Sequence, residues 1–276
     1  MIIKSLIFEL IYHVGKTYDL VGVEQGRQLL SKNQFGDTAL NMDVQLEKSV
    51  INFLQKRHVP ATIYSEEHGI TEISKNPQYT IIMDGLDGSG VFLENHRGRF
   101  GTMIAIFKGN SPKLSDYICS FIIEHTNKQA IIAFKNEGSY LLKHNNIINV
   151  STPSLRRLRD VKRIYIDRAF HINEKTFFDP LQHLNPLYLK SSAAYYIDLA
   201  IGQADLVLEC TRKNSIEISV AYGLINEAGG VMVNLQGQDL GEFSYLDYLY
   251  FDDNTPVISA ASLKMANELI HFLKPA

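Results

Sequence analysis

No tryptophan occurs among the 276 residues, cysteine occurs twice, and neither sign of charge prevails, with 27 basic against 30 acidic side chains. Each scarcity excludes something. Cys119 and Cys210 supply neither a disulfide framework nor the repeated spacing of a zinc site, so a reduced, cytoplasmic setting is the default expectation. With charge so nearly balanced, nothing argues for a nucleic-acid face, and no nucleic-acid partner is expected. No apolar run is long enough to span a bilayer, so no membrane contact is expected. The apolar N-terminus is interrupted by Lys4 and Glu9 and is followed by no small-residue cleavage site, so it reads as neither signal peptide nor anchor. There is no internal repeat and no low-complexity segment.

What is present reads as an α/β protein with ample length for a core. Ile3, Leu6, Ile7, Leu10, Ile11 and Val14 recur at helical spacing, a stripe that faces a core or a second subunit. Ser31–Gly36 reads as a loop. Asp43 then precedes a second helical pattern carried by Leu46, Val50, Phe53 and Leu54, where it suits an N-cap. Residues 101–143 are strand-rich with short turns: Thr102–Phe107, Tyr117–Glu124, Gln129–Phe134 and Ser139–Lys143, an antiparallel order. The second half alternates strand Lys162–Ile166, helix Ser192–Ile201, strand Asp205–Glu209 and helix Ile216–Ala228. Strands Val231–Asn234 and Val257–Ala260 and a helix near Ser262–Leu273 follow. Gly202 and Gly229 are placed to stop the helices before them. Residues 144–160, with the basic run at Arg156, Arg157 and Arg159, read as an exposed link. We therefore divide the chain into halves 1–150 and 151–276 forming one compact unit.

Residues 81–89, Ile-Ile-Met-Asp-Gly-Leu-Asp-Gly-Ser, are the most informative stretch. A buried-strand pattern delivers two carboxylates, Asp84 and Asp87, and then breaks into a Gly-Ser turn. Carboxylates suit a hard cation, and the amides of Gly88 and Ser89 suit an anion such as phosphate. An ordinary Asp/Gly turn has the same composition. A second apolar run, Ala61–Tyr64, also ends in acid at Glu66 and Glu67. In open sheets ligands gather beyond the carboxyl ends of strands. Several carboxylates meeting there repel one another unless a divalent cation compensates them.

The blocks Tyr64-Ser-Glu-Glu-His-Gly69, Met83-Asp-Gly-Leu-Asp-Gly-Ser89 and Asn226-Glu-Ala-Gly-Gly230 together resemble the inositol monophosphatase family. This is the lithium-sensitive, magnesium-dependent superfamily that also holds fructose-1,6-bisphosphatases. The likeness runs from about residue 36 to about residue 260. It implies a layered αβαβα sandwich and a phosphomonoesterase using two or three Mg²⁺ ions. It further implies that Glu66, Asp84 and the Leu86 carbonyl hold one ion, and that Asp87 bridges toward a second held with Glu217. Glu66 and an Asp43–Ser89 pair then orient and deprotonate the attacking water. Gly88 and Ser89 bind the phosphate. Relatives are commonly dimers or tetramers, so a homodimer acting on a small phosphorylated substrate is expected.

The substrate side is drawn from the same likeness. Ser191-Ser-Ala-Ala194, and so Ser191, Ser192 and Ala193, resemble a loop that meets the sugar or inositol ring, and a helix N-cap at Ser191 or Ser192 explains the same residues. Lys190 and Arg168 suit a distal phosphate, or serve as surface charges. Glu209 ends a strand where relatives bind polyol hydroxyls. His68 reads as a loop residue. The chain also departs from the family pattern. Glu217 stands where an Asp is usual, in a first helical turn that favours a carboxylate in any case. Gly85 replaces Pro, Ser89 replaces Thr and Gly90 replaces a polar residue, all of which suggest a looser site. Inositol phosphate, fructose bisphosphate and a nucleotide 3′-phosphate remain rival substrates, and a non-catalytic binding role remains the alternative.

Overall fold

The computed structural model describes residues 2–32, 38–95, 97–144, 146–153, 157–168, 174–210, 216–245 and 256–273. Ile3 and Cys210 have side chains outside this description, as do Asn33–Gly36 of the expected loop and Arg156 of the basic run. The chain opens with helix α1 (Ile2–Gly26), broken at Gly22 where φ is 67°. A ribbon of β1 (Leu29–Lys32) and β2 (Thr38–Leu40) leads to α2 (Asn41–Lys56). Then come β3 (Ala61–Ser65), β4 (Gly69–Glu72), β5 (Tyr79–Asp87) and the short helix α3 (Ser89–Glu94). Strands β6 (Gly101–Lys108), β7 (Tyr117–Glu124), β8 (Gln129–Phe134), β9 (Gly138–Lys143) and β10 (Asn146–Val150) complete the first sheet. Its order is β10-β9-β8-β7-β6-β5-β3-β4, antiparallel throughout except where β3 runs parallel to β5.

The second sheet holds β11 (Ile164–Ile166), β12 (Leu206–Cys210), β13 (Val231–Asn234) and β14 (Pro256–Ala260), in the order β11-β12-β14-β13. Between its strands run helices α4 (Ser192–Ala200) and α5 (Ile216–Glu227), and α6 (Leu263–Leu273) follows β14. The C′ glycines Gly202 and Gly229 adopt φ of 74° and 87°, the left-handed turn that stops α4 and α5.

Period-two alternation sorts the strands into layers. Ile81, Met83, Ile104 and Ile106 face α1 and α2, together with Ile7, Leu10, Val14, Leu46 and Val50. Ile82, Met103, Ala105 and Phe107 face the opposite way, onto α4 and α5. Val207, Met232 and Val257 close that middle layer from the second sheet. Leu206, Leu208 and Ile258 point outward to Met265, Leu269 and Ile270 of α6. The result is helix, sheet, helix, sheet, helix, as expected. Arg99 ties the layers by donating to buried Glu124 on β7 and buried Asp198 on α4.

Two expectations fail here. Ser31 and Lys32 of the expected loop belong instead to strand β1. Residues 144–160 are not simply an exposed link, because Asn146–Val150 form β10 and pair residue for residue with β9. The exposed, asparagine-flanked strand carries no alternation of its own, so its pairing comes from the hairpin. No described helix is long and apolar enough to cross a membrane.

Candidate active site

In a regular strand, residues three apart point to opposite faces. Asp84 and Asp87 converge because β5 carries a β-bulge between them. Asp84 pairs with Met103 and Asp87 with Gly101, so Gly85 and Leu86 together oppose the single residue Thr102. The extra residue corrects the parity and turns both carboxylates toward one side. The Leu86 amide donates to Asp84 Oδ1 at 2.8 Å, which fixes that carboxylate. Gly85 is packed rather than loose. A Cβ there would lie 2.6 Å from Asp43 Oδ1 and 2.7 Å from the Asp43 carbonyl oxygen, so the glycine admits α2 against the bulge. Only Gly90 matches the expectation of a looser site, since a Cβ there meets open space.

Helix α2 contributes two buried carboxylates. Asp43 is not an N-cap: the cap is Leu40, and Asp43 lies inside the first turn. The chain enters the helix three residues early, directly from β2, and this carries Asp43 down against the bulge. Its Oδ1 is buried without a hydrogen-bond partner, and no bond joins it to Ser89. Glu47, one turn later, was missed at the level of sequence. It accepts the amides of Glu66 at 3.0 Å, Glu67 at 3.1 Å and His68 at 3.0 Å, and His68 Nδ1 at 2.8 Å. Glu47 thereby holds the turn after β3 that presents Glu66, and His68 is spent on the same task. A carboxylate four residues after Asp43, on the apolar side beside Leu46 and Val50, was the available signal.

From the far side, Glu217 enters on the first turn of α5. Carboxylate oxygens of Asp84, Asp87 and Glu217 lie within 4.8 Å of one another. Glu66 lines the same pocket but does not belong to that group of three. Burial, followed by the charges of Glu66, Asp43, Asp87 and Glu217, holds Asp84 well above the usual carboxylate range. Burial and then Glu66, Glu47 and Glu67 do the same to Asp43, partly offset by the Leu86 backbone. Clustered hard oxygen donors, and an orphaned oxygen on Asp43, fit a divalent cation such as Mg²⁺.

Gly88 caps α3 in the left-handed conformation at φ 81°, and a Cβ there would lie 2.9 Å from Ser191 Cβ, so only glycine fits. With Leu86 and Ser89 it lines a cavity of about 210 Å³, shared with Asp167, Lys190, Ser191, Ser192 and Glu209. Ser191 caps α4 by accepting the Ala194 amide. Its hydroxyl donates to Asp87 at 2.6 Å, and the amides of Ser192 and Ala193 donate to Asp87 at 3.2 and 2.7 Å. The Ser191–Ala193 loop is thus bound to the carboxylate. Ser192 Oγ and the Tyr196 hydroxyl donate to Glu209, whose pKa is pushed up to about 8 by burial and then by Asp167. Lys190 reaches the rim but pairs with both oxygens of Glu94 at 3.0 Å. Arg168 is not among the lining residues: it pairs with Glu174 at 2.8 Å and stacks on Phe178. The Glu-Ala-Gly-Gly block stands away from the pocket, where Glu227 accepts from Tyr117 and from the amides of Asn136 and Gly138.

Comparison with known proteins adds three relatives. The bifunctional NADP phosphatase/NAD kinase of Methanococcus maripaludis is 23% identical over 265 residues, covering 91% of this chain and 44% of that protein. The chain therefore spans less than half the length of this curated relative. The extragenic suppressor protein suhB from Bartonella henselae superposes with a TM-score of 0.78 at 18% identity, covering 100% of both chains. An inositol monophosphatase–fructose 1,6-bisphosphatase superposes with a TM-score of 0.74 at 18% identity, covering 98% of each. The model of the inositol monophosphatase family matches residues 8–271, nearly the whole chain, and so this protein belongs to that family.

Proposed function

We propose that this chain is a Mg²⁺-dependent phosphomonoesterase acting on a small phosphorylated polyol or sugar, of the inositol monophosphate or fructose-1,6-bisphosphate type. Halves 1–150 and 151–276 would complete one site as a single catalytic unit. The observation that carries the reading is the meeting of Asp84, Asp87 and Glu217 within 4.8 Å, beside the Gly88–Ser89 turn. Asp84, Asp87 and Glu217, with Glu66 and the Leu86 carbonyl, would hold Mg²⁺. When bound, the cation neutralises phosphate charge and lowers the pKa of a coordinated water.

The chain's own groups complete the chemistry. Gly88 and Ser89 offer amides to the phosphate at the start of α3. Asp43 and Glu66 would take the proton of the attacking water, and burial together with the neighbouring Glu66 charge makes the Asp43 carboxylate more basic than an ordinary one. Glu209, Ser192 and Asp167 supply acceptors and a hydroxyl for substrate hydroxyls. The cavity, about 210 Å³ and lined by carboxylates and serine hydroxyls, suits a small polar ester. Lithium inhibition, a homodimer and a cytoplasmic setting belong to the same proposal.

The test is phosphate release with Mg²⁺ from inositol monophosphate, fructose 1,6-bisphosphate, a nucleotide 3′-phosphate and NADP, with Asp87→Asn as control. Release from a polyol or sugar phosphate, lost in the control, is the expected result. No release from any of the four by folded wild-type protein would favour a non-catalytic binding role.

A further inference from the structure

The bulge in β5 leaves Gly85 and Leu86 facing one partner residue, so the regular ladder cannot fix both of them. Thr102, the residue opposite, supplies the missing bond from its side chain: its Oγ1 donates to the Gly85 carbonyl oxygen at 2.7 Å. A threonine hydroxyl has one proton, and here it is committed to a carbonyl. The contact between Thr102 Oγ1 and His125 Nε2, 2.9 Å, therefore requires the imidazole to donate. His125 follows β7, is 5% exposed and stacks on Tyr18 of α1, with ring centroids 4.2 Å apart and planes 9° apart. Thr102 is fully buried. Burial also holds His125 neutral, with its pKa lowered to about 3, in keeping with a single ring proton at Nε2.

We infer that Thr102 and His125 are positioning residues that brace the bulge at Gly85 and so set the separation of Asp84 and Asp87. Gly85 is thereby held from two sides. Helix α2 presses on it through Asp43, with no room for a Cβ, and the Thr102–His125 pair holds its carbonyl from the other. Loss of either hold lets the two carboxylates drift, which costs cation affinity before it costs folding. Groups that bond metal ligands directly typically contribute about 10–100-fold to metal affinity, and a brace on the adjoining backbone is expected at the lower end of that range. The inference rests on the proposed Mg²⁺-dependent reading of the site.

The experiment is Mg²⁺ titration by calorimetry of the full chain as wild type, Thr102→Val, Thr102→Ser and His125→Phe. The nitrogen-bound imidazole proton of His125 is followed by NMR in parallel. Thr102→Val should weaken Mg²⁺ binding about tenfold, Thr102→Ser should restore it, and the slowly exchanging Nε2 proton should be present only where a hydroxyl remains. His125→Phe keeps the stack on Tyr18 but removes the donor, and should lie between valine and wild type. It carries the test if Thr102→Val does not fold. Wild-type affinity in both Thr102→Val and His125→Phe would overturn the inference, as would failure of serine to rescue. Absence of Mg²⁺ binding by the wild type would instead overturn the functional reading beneath it.

Discussion

At one end of the pocket, carboxylates are held mainly by the main chain. Glu47 takes three consecutive amides, the Leu86 amide holds Asp84, and the Ser192 and Ala193 amides hold Asp87. At the other end, Glu209 rests on two side-chain hydroxyls, and Lys190 on one exposed ion pair. Main-chain donors cannot be rotated away or exchanged by substitution, whereas hydroxyls and surface charges can. The cation end is therefore the stiff part of the site. If the proposed function holds, the Glu209 end is where a change of substrate costs the fold least.

Four measurements break or sharpen that contrast. The largest expected effect is at Glu47. Replacement by Ala strands buried amides at 66–68 and should cost about 3 kcal/mol in urea unfolding. A loss well under 1 kcal/mol would show that the turn does not depend on this carboxylate. Next, Gly85→Ala drives a Cβ against Asp43 and should cost about 1–3 kcal/mol, together with Mg²⁺ affinity. Gly90→Ala, in open space within α3, should instead gain up to about 1 kcal/mol. Equal effects at the two glycines would erase the distinction between packed and open positions.

The third measurement concerns pH. Glu209 keeps its proton in the folded protein to about pH 8, against a usual glutamate value of 4.5. Above the unfolded value the unfolded chain binds fewer protons than the folded one, so stability falls as pH rises toward 8. Unfolding of cation-free protein across pH 5–8 should show that fall, and Glu209→Gln should flatten it. An unchanged slope would mean that the proton sits elsewhere, as at Asp84 or Asp43, buried carboxyls whose pKa is also raised. The smallest effect is expected at Lys190→Gln. Its exposed pair with Glu94 should contribute no more than about 1 kcal/mol to stability, measured by the same unfolding.

Much of the architecture was legible before folding. Strands β7, β8 and β13 and the ends of α4 and α5 lie within a residue or two of their expected bounds, because alternation and glycine stops are local signals. The Asn146–Val150 strand was not legible, since its residues are mostly exposed and its partner is supplied by the preceding hairpin. In the site, Asp84, Asp87, Gly88 and Ser89 stood out because they are neighbours in the chain. Gly85 was misread as flexible because the side chains that crowd it come from α2.

Local order along the chain therefore already contained the layer sequence, the acidic strand ends and the turn that faces an anion. Two things arose only on folding: the register slip that points Asp84 and Asp87 the same way, and the capture of residues 66–68 by Glu47. Each depends on where a partner strand or helix comes to rest. Such a position follows from packing over tens of residues and leaves no mark in the spacing of its neighbours.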